Sequence, residues 1–509
     1  MRALVNVAAI ALLFIGETGL VQADQGGAAA VALSAEQSAQ DVRILKRALL
    51  DMHPALTKYL SQTDFDATLK RFEDRGNAAR SVGEMYLAAT EMAAGIRCGH
   101  TWTNVLNQEG SAKRVLLESA DKLPFTVMLV ANRWLVLASA DAAVNAGDEV
   151  LSINGIEAAD IVTALMPYLR ADGSSDGKRL RQLNHNRSDF SQMDILWPLL
   201  APPEGGRYAL SIRRPSGQRD QITVAATTLA RRAAALADKG ITTESEAWQF
   251  RIAGNTAFMT LPTFSFWNSD FDWAAFIDGA FAELNSRNIP HLVIDIRLNE
   301  GGDGAIGGKI LAHLIRRPLQ FLSDQSTSAY ERAPYITAKY MDTWDYSFFD
   351  RTGQVERIRE GTAAGKYRFL PKANGLQTIE PIAHPYKGKT YILISAENSS
   401  ATFQFAKLVK DSGSATLIGQ ATGGNQRGLN GGQLAWVVLP NSGVAVDIPL
   451  LAATYTEATP DASIVPDVTV LPSFEASAAG RDLEMEAVLR LIDSTPDRSR
   501  ESGTPCCAH

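Results

Sequence analysis

The stretch Tyr391-Ile-Leu-Ile-Ser-Ala-Glu-Asn-Ser-Ser-Ala-Thr-Phe-Gln-Phe-Ala-Lys-Leu-Val409 passes from one periodicity to another within nineteen residues. Its first four residues form a continuous apolar run of the kind a buried strand carries, and a short polar turn follows. Phe405, Leu408 and Val409 then mark the apolar positions of a helix that starts at once, with Ser400 at its beginning. A hydroxyl there faces unpaired backbone N–H groups and the positive end of the helix dipole, which favour a developing oxyanion. Ser399 or Ser400 also fits a plain N-cap, and this stretch by itself favours the cap.

The same alternation of strand and helix begins near Thr242. Strands are expected at 256–261, 291–296, 389–394 and 415–419, and helices at 273–286 and 401–411, which argues an α/β domain. Residues 322–388 interrupt it with a Tyr- and charge-rich insertion. Upstream the pattern differs. Residues 36–97 carry helical periodicity through Val42, Leu45, Leu49, Met85 and Met92, whereas 124–130, 133–138 and 207–213 read as strands, with Ala131-Asn132 as a turn between the first two.

The 509 residues are 46% hydrophobic and 21% charged, with a net charge of -7. That length asks for two or three domains, and the composition excludes a disordered, collagen-like or polytopic membrane chain. The absence of a basic excess argues against a nucleic-acid-binding surface. At the N-terminus, Arg2, the 11-residue stretch from Val5 to Ile15 and Val21-Gln22-Ala23 read as a signal peptide. The stretch is short of the roughly 20 residues of a membrane span. A periplasmic or secreted protein is expected. Its three cysteines, Cys98, Cys506 and Cys507, are read as thiols without a structural disulfide.

Two further stretches carry chemistry. In His291-Leu-Val-Ile-Asp-Ile-Arg-Leu-Asn-Glu-Gly-Gly-Asp-Gly304 an apolar strand runs into paired glycines, where backbone N–H groups can approach a ligand closely. Gly302-x-Gly304-x-x-Gly307 satisfies the dinucleotide fingerprint, with Asp324 17 residues beyond it. Asp295, Arg297 and the spacing from strand to first glycine speak against that reading. The other stretch, Gly95-Ile-Arg-Cys-Gly-His-Thr-Trp-Thr-Asn104, places His100 after the N-terminal helices. No histidines pair at metal-ligand spacing, so zinc chemistry is not expected.

Taken in order along residues 36–490, these stretches resemble the carboxyl-terminal-processing (tail-specific) serine protease family, including its tricorn-core-like, histidine-using branch. Asp295-x-Arg297-x-Asn299-x-Gly301-Gly302, Ser400-Ala401, the strand-Gly419-x-x-Thr422-Gly423 segment and Ile464-Val-Pro466-Asp467-Val are similar to its motifs. Ala146-Gly-Asp-Glu-Val-Leu-Ser-Ile-Asn-Gly155 resembles the signature of a PDZ-like module. The resemblance implies a crotonase- or ClpP-like ββα core, an N-terminal helical domain and a PDZ-like β-rich domain. Boundaries follow at 1–23 (signal peptide), 24–118 (helical), 119–235 (PDZ-like), 236–493 (protease core) and 494–509 (polar tail).

The resemblance further implies Ser400 as nucleophile, with an oxyanion hole from the Ala401 N–H and one of Gly301 and Gly302. The dyad lysine of the best-known branch is replaced here by Asn425, which cannot take a proton from serine. His100 then becomes the leading base, in a setting similar to the histidine-using branch, with Cys98 in place of an acidic residue. Glu457 is the candidate third residue. The expected activity is hydrolysis of peptides or proteins without metal or organic cofactor. Alternatives are a peptide-binding relative that has lost catalysis and a dinucleotide-dependent oxidoreductase.

Overall fold

The computed structural model describes residues 31–185, 190–241, 247–267, 269–322, 325–361, 363–370, 376–454 and 459–494. The stretch 1–23, Glu457, Cys506 and Cys507 lie outside them.

The α/β core is a six-stranded sheet in the order Val468–Thr469, Thr416–Gly419, Lys389–Ile394, His291–Asp295, Thr256–Thr260, Gln249–Ala253. All neighbours are parallel except the last pair, which is an antiparallel hairpin. The central strands are apolar throughout because both of their faces are covered. Leu292, Ile294, Ile392 and Ile394 pack under helices Trp273–Ser286, Gly304–Leu314 and Ser400–Ser412. The alternate residues Val293, Tyr391 and Leu393 meet Val488 and Ile492 of helix Leu483–Asp493 on the other face. Strands His291–Asp295 and Lys389–Ile394 run in parallel register, with Leu393 opposite Asp295. Their carboxyl ends therefore deliver the turns 296–303 and 395–399 side by side, where open α/β sheets bind ligands.

Before the core come three helices, Ala35–Met52, Gln62–Ala78 and Val82–Gly95, each started by a serine N-cap (Ser34, Ser61, Ser81). An antiparallel sheet follows, in the order Phe125–Val130, Arg133–Ser139, Glu149–Ile153, Arg207–Arg213, Arg219–Ala225. Ala131 and Asn132, at φ 49° and 63°, make the tight turn of its first hairpin.

Two features differ from the sequence reading. The 322–388 insertion holds short strands: Gln325–Ser328 pairs with Tyr367–Phe369 and also with Ala452–Thr454. Strands Leu434–Val438 and Ala445–Pro449, late in the chain, form a hairpin whose Val437, Val446 and Ile448 share one apolar cluster with Leu45 and Met85 of the first helices and Ile212 of the antiparallel sheet. Sequence order thus hides that this hairpin packs with the N-terminal segments, and it is this packing that brings the chain around Trp102 against Asp447.

Candidate active site

Ser400 stands at the first position of its helix with φ 48°, a left-handed conformation that costs a non-glycine residue about 1–2 kcal/mol. The turn before it is stitched to the neighbouring one, which holds the strain in place. The Asn398 side-chain amide donates to the carbonyls of Ile296 and Asn299 at 2.5 and 3.0 Å, and the Ser395 hydroxyl donates to Arg297 O at 2.5 Å. Ser399 is the N-cap residue but makes no side-chain cap; its hydroxyl donates to Glu300 O at 3.0 Å. The Ser400 hydroxyl has no hydrogen-bond partner among the described residues. Ser400 thus sits in a strained strand-to-helix turn with an uncommitted hydroxyl and makes no cap.

Gly301 and Gly302 lie against this turn at φ 135° and 136°, backbone that only glycine adopts without strain. A Cβ on Gly301 would come 2.8 Å from Ser400 Cβ and 3.1 Å from Ala401 N. The Gly301 N–H is spent on Asn299 Oδ1 at 2.9 Å. The N–H groups of Gly302 and Ala401 have no acceptor among the described residues, which leaves these two as available oxyanion donors. On Gly302 a Cβ would sit 2.3 Å from the Phe264 carbonyl. Gly302→Ala is therefore expected to destabilise the chain by about 3 kcal/mol or more, read as a lowered urea midpoint.

His100 arrives from the other side, in the turn that ends helix Val82–Gly95. The neighbouring Thr101 hydroxyl meets His53 Nε2 at 3.0 Å. Since His53 Nδ1 accepts the Ala55 N–H, also at 3.0 Å, His53 carries its proton on Nε2 and donates to Thr101. The His100 ring lies against Gly431, whose Cβ position is 3.3 Å from both Cε1 and Nε2. His100 Nδ1 is buried and has no hydrogen-bond partner among the described residues. Burial lowers the imidazole below the ordinary histidine value; Asp172 and Glu300 pull it back up, while Arg170 and Lys178 push it further down. The neutral, proton-accepting form is favoured.

His100 and Ser400, 300 residues apart in sequence, line one cavity of about 800 Å³ together with Gly301, Gly302 and Ser399. Five charged side chains connect across its wall. Arg170 and Lys178 both hold Glu300, at 2.8 and 2.9 Å, and Lys178 also holds Glu397 at 2.8 Å, with Arg181 nearby at 3.4 Å. Partial desolvation at the cavity wall would raise the Glu300 carboxyl, which is still 48% exposed, but Lys178 and Arg170 override it and hold the group below the usual carboxylate range. Asp447, also on the wall, accepts from the side chains of Asn104 and Asn107 at 2.9 and 2.7 Å, and burial pushes it up to about 6.

Other candidates fall away from the chemistry. Asn425 is occupied: its amide donates to Asp461 at 2.6 Å, and its Oδ1 accepts the Arg427 N–H at 3.0 Å. Burial pushes the Cys98 thiol up, away from thiolate reactivity. The dinucleotide reading fails on geometry, because Asp303 caps the helix Gly304–Leu314 through the Ala305 N–H. A carboxylate thus stands where a pyrophosphate would need the helix N-terminus. Among the described residues no cluster of three or more His, Cys, Asp or Glu could hold a metal, and no helix is long and apolar enough to cross a membrane. Sequence reading missed Arg170, Asp172, Lys178, Glu397 and Asp447. Arg170 and Asp172 sit in a loop, and Lys178 in the short helix Asp176–Arg181 after it, a charge-mixed stretch that looks like any solvated connection.

Residues 255–470 match the model of peptidase family S41. Among solved structures, the chain is similar to a CPAF mutant at 17% identity and a TM-score of 0.60, covering 91% of this chain and 99% of that one. It is also similar to mature CPAF complexed with lactacystin, at 16% identity and a TM-score of 0.57, covering 90% and 98%. The photosystem II D1 C-terminal processing protease aligns over 89% of this chain and 99% of its own at 14% identity, with a TM-score of 0.36. At these identities the CPAF likeness shows the fold. No curated protein matches the chain by sequence.

Proposed function

We propose that this chain, whose residues 255–470 match peptidase family S41, is a serine peptidase of the C-terminal-processing kind in which Ser400 and His100 form the catalytic pair. The observation that carries this is the meeting of an uncommitted serine hydroxyl and a half-buried imidazole at one cavity. Ser400 Oγ attacks the scissile carbonyl while His100 accepts its proton and then passes it to the leaving amine. The Ala401 and Gly302 N–H groups hold the oxyanion of the tetrahedral intermediate. Water, deprotonated by His100, releases the acyl group from Ser400. Glu457, outside the described residues, is the third residue that the resemblance implies.

The core strands and helices are read as a crotonase- or ClpP-like unit, and the antiparallel sheet within 119–235 as a PDZ-like module where an extended peptide docks by strand addition. Peptides or proteins are the substrates, and no cofactor enters the mechanism. The N-terminal stretch 1–23 supports export to the periplasm or beyond.

An active-site-directed fluorophosphonate is expected to leave its adduct on the peptide containing Ser400, read by mass spectrometry. A relative that only binds peptides predicts no adduct there.

A further inference from the structure

We propose that Asp172 positions His100 through the Gly99 N–H, with Arg170 holding the same turn from its carbonyl side, an assignment that rests on the reading of His100 as general base. Neither residue belongs to a recognised motif. Both lie in the helical connection between strands Ile156–Glu157 and Arg207–Arg213 of the antiparallel sheet, and from there they grip the histidine turn at three points. Asp172 Oδ1 accepts the Gly99 N–H at 2.8 Å. The Gly173 N–H donates to Arg97 O at 2.9 Å. The Arg170 guanidinium donates to Gly99 O, stacks 3.8 Å over the Trp102 ring and donates to Glu300 at 2.8 Å.

The fit leaves no slack. A Cβ on Gly99 would fall 2.7 Å from Asp172 Oδ2, and one on Gly173 would fall 2.3 Å from Asp461 Oδ1 and 2.6 Å from Asn425 Nδ2. Arg170 thus ties the base turn to the residue preceding Gly301, and Asp172 puts a carboxylate that is only 2% exposed against Gly99, the residue before the base. Burying a carboxylate is costly unless something compensates it. The compensation comes when His100 takes the Ser400 proton, because an adjacent anion stabilises the imidazolium. Asp172 heads the charges that favour protonated His100, followed by Glu300; Arg170 and Lys178 oppose it. Tyr59 and Cys98 also face Asp172.

The test is kcat/KM against pH for the full chain, using a fluorogenic peptide that the wild type cleaves. Asp172→Asn keeps an acceptor for Gly99 but removes the charge. It is expected to lower kcat about ten- to a hundredfold with little change in KM, and to move the acid limb to lower pH. Arg170→Gln removes the opposing charge and is expected to move the limb to higher pH. Displacements of opposite sign do not arise from general loosening. Limbs that stay put, or that move together, overturn the assignment. If thermal unfolding shows that Asp172→Asn does not fold, Asp172→Glu decides: it keeps the charge but displaces the carboxylate from the Gly99 N–H, so a kcat lowered about tenfold or more with the acid limb in place supports the assignment, and wild-type kcat overturns it. A wild-type chain that neither cleaves peptides nor takes the fluorophosphonate overturns the peptidase reading and this assignment with it.

Discussion

Ser400→Ala is expected to lower kcat by roughly a hundred-thousandfold to a millionfold, leaving only the catalysis that binding and oxyanion donors supply. The fold should be nearly untouched. The Ser400 hydroxyl bonds nothing among the described residues, so its removal leaves no buried partner unsatisfied. Alanine carries about the same penalty at φ 48° as serine, so the stability change should stay within about 1 kcal/mol. A capping serine would behave in the opposite way, with a loss of about 1 kcal/mol in stability and no change in turnover. Steady-state kinetics and a thermal melt on the same preparation separate the two outcomes.

His100→Gln is expected to cost about ten-thousandfold or more in kcat. Among the described residues, neither Asn425 nor Lys178 is free to replace the imidazole. Asn425 has no proton-accepting nitrogen and is held by Asp461, and Lys178 is engaged with Glu300 and Glu397. The pH dependence follows from the direction of the His100 shift. Catalysis needs the neutral ring, and burial lowers its pKa below the ordinary 6.5. The acid limb of activity should therefore have its midpoint below pH 6.5. The residual activity of His100→Gln should lack that limb, which a pH series of kcat/KM checks.

Much of this was legible in the sequence. Val293, Leu393 and their neighbours form uninterrupted apolar runs because both faces of the central strands are covered, and Gly301-Gly302 declared a backbone that side chains would block. Ser400 is ambiguous in the sequence, because a cap and a nucleophile occupy the same place in a strand-turn-helix unit; its φ of 48° and its uncommitted hydroxyl support the second reading. The proposed role of His100 as base is read only by resemblance, since nothing local marks a lone histidine as a base. The helical connection carrying Arg170, Asp172 and Lys178 was not legible at all. Its residues act through contacts with Gly99, Glu300 and Glu397, up to 219 positions away, and a mixture of charges in a loop does not announce its partners. The hairpin Leu434–Val438 and Ala445–Pro449 was missed for a similar reason, because its apolar face is matched by helices at the other end of the chain.

The account centres on Ser400 activated by His100, and the acylation step tests it most directly. Mixing the wild-type chain with an activated peptide ester should give a burst of leaving group equal to the enzyme present, followed by slower turnover. Ser400→Ala and His100→Gln should each give no burst. A burst of wild-type rate and size in either variant would contradict the account.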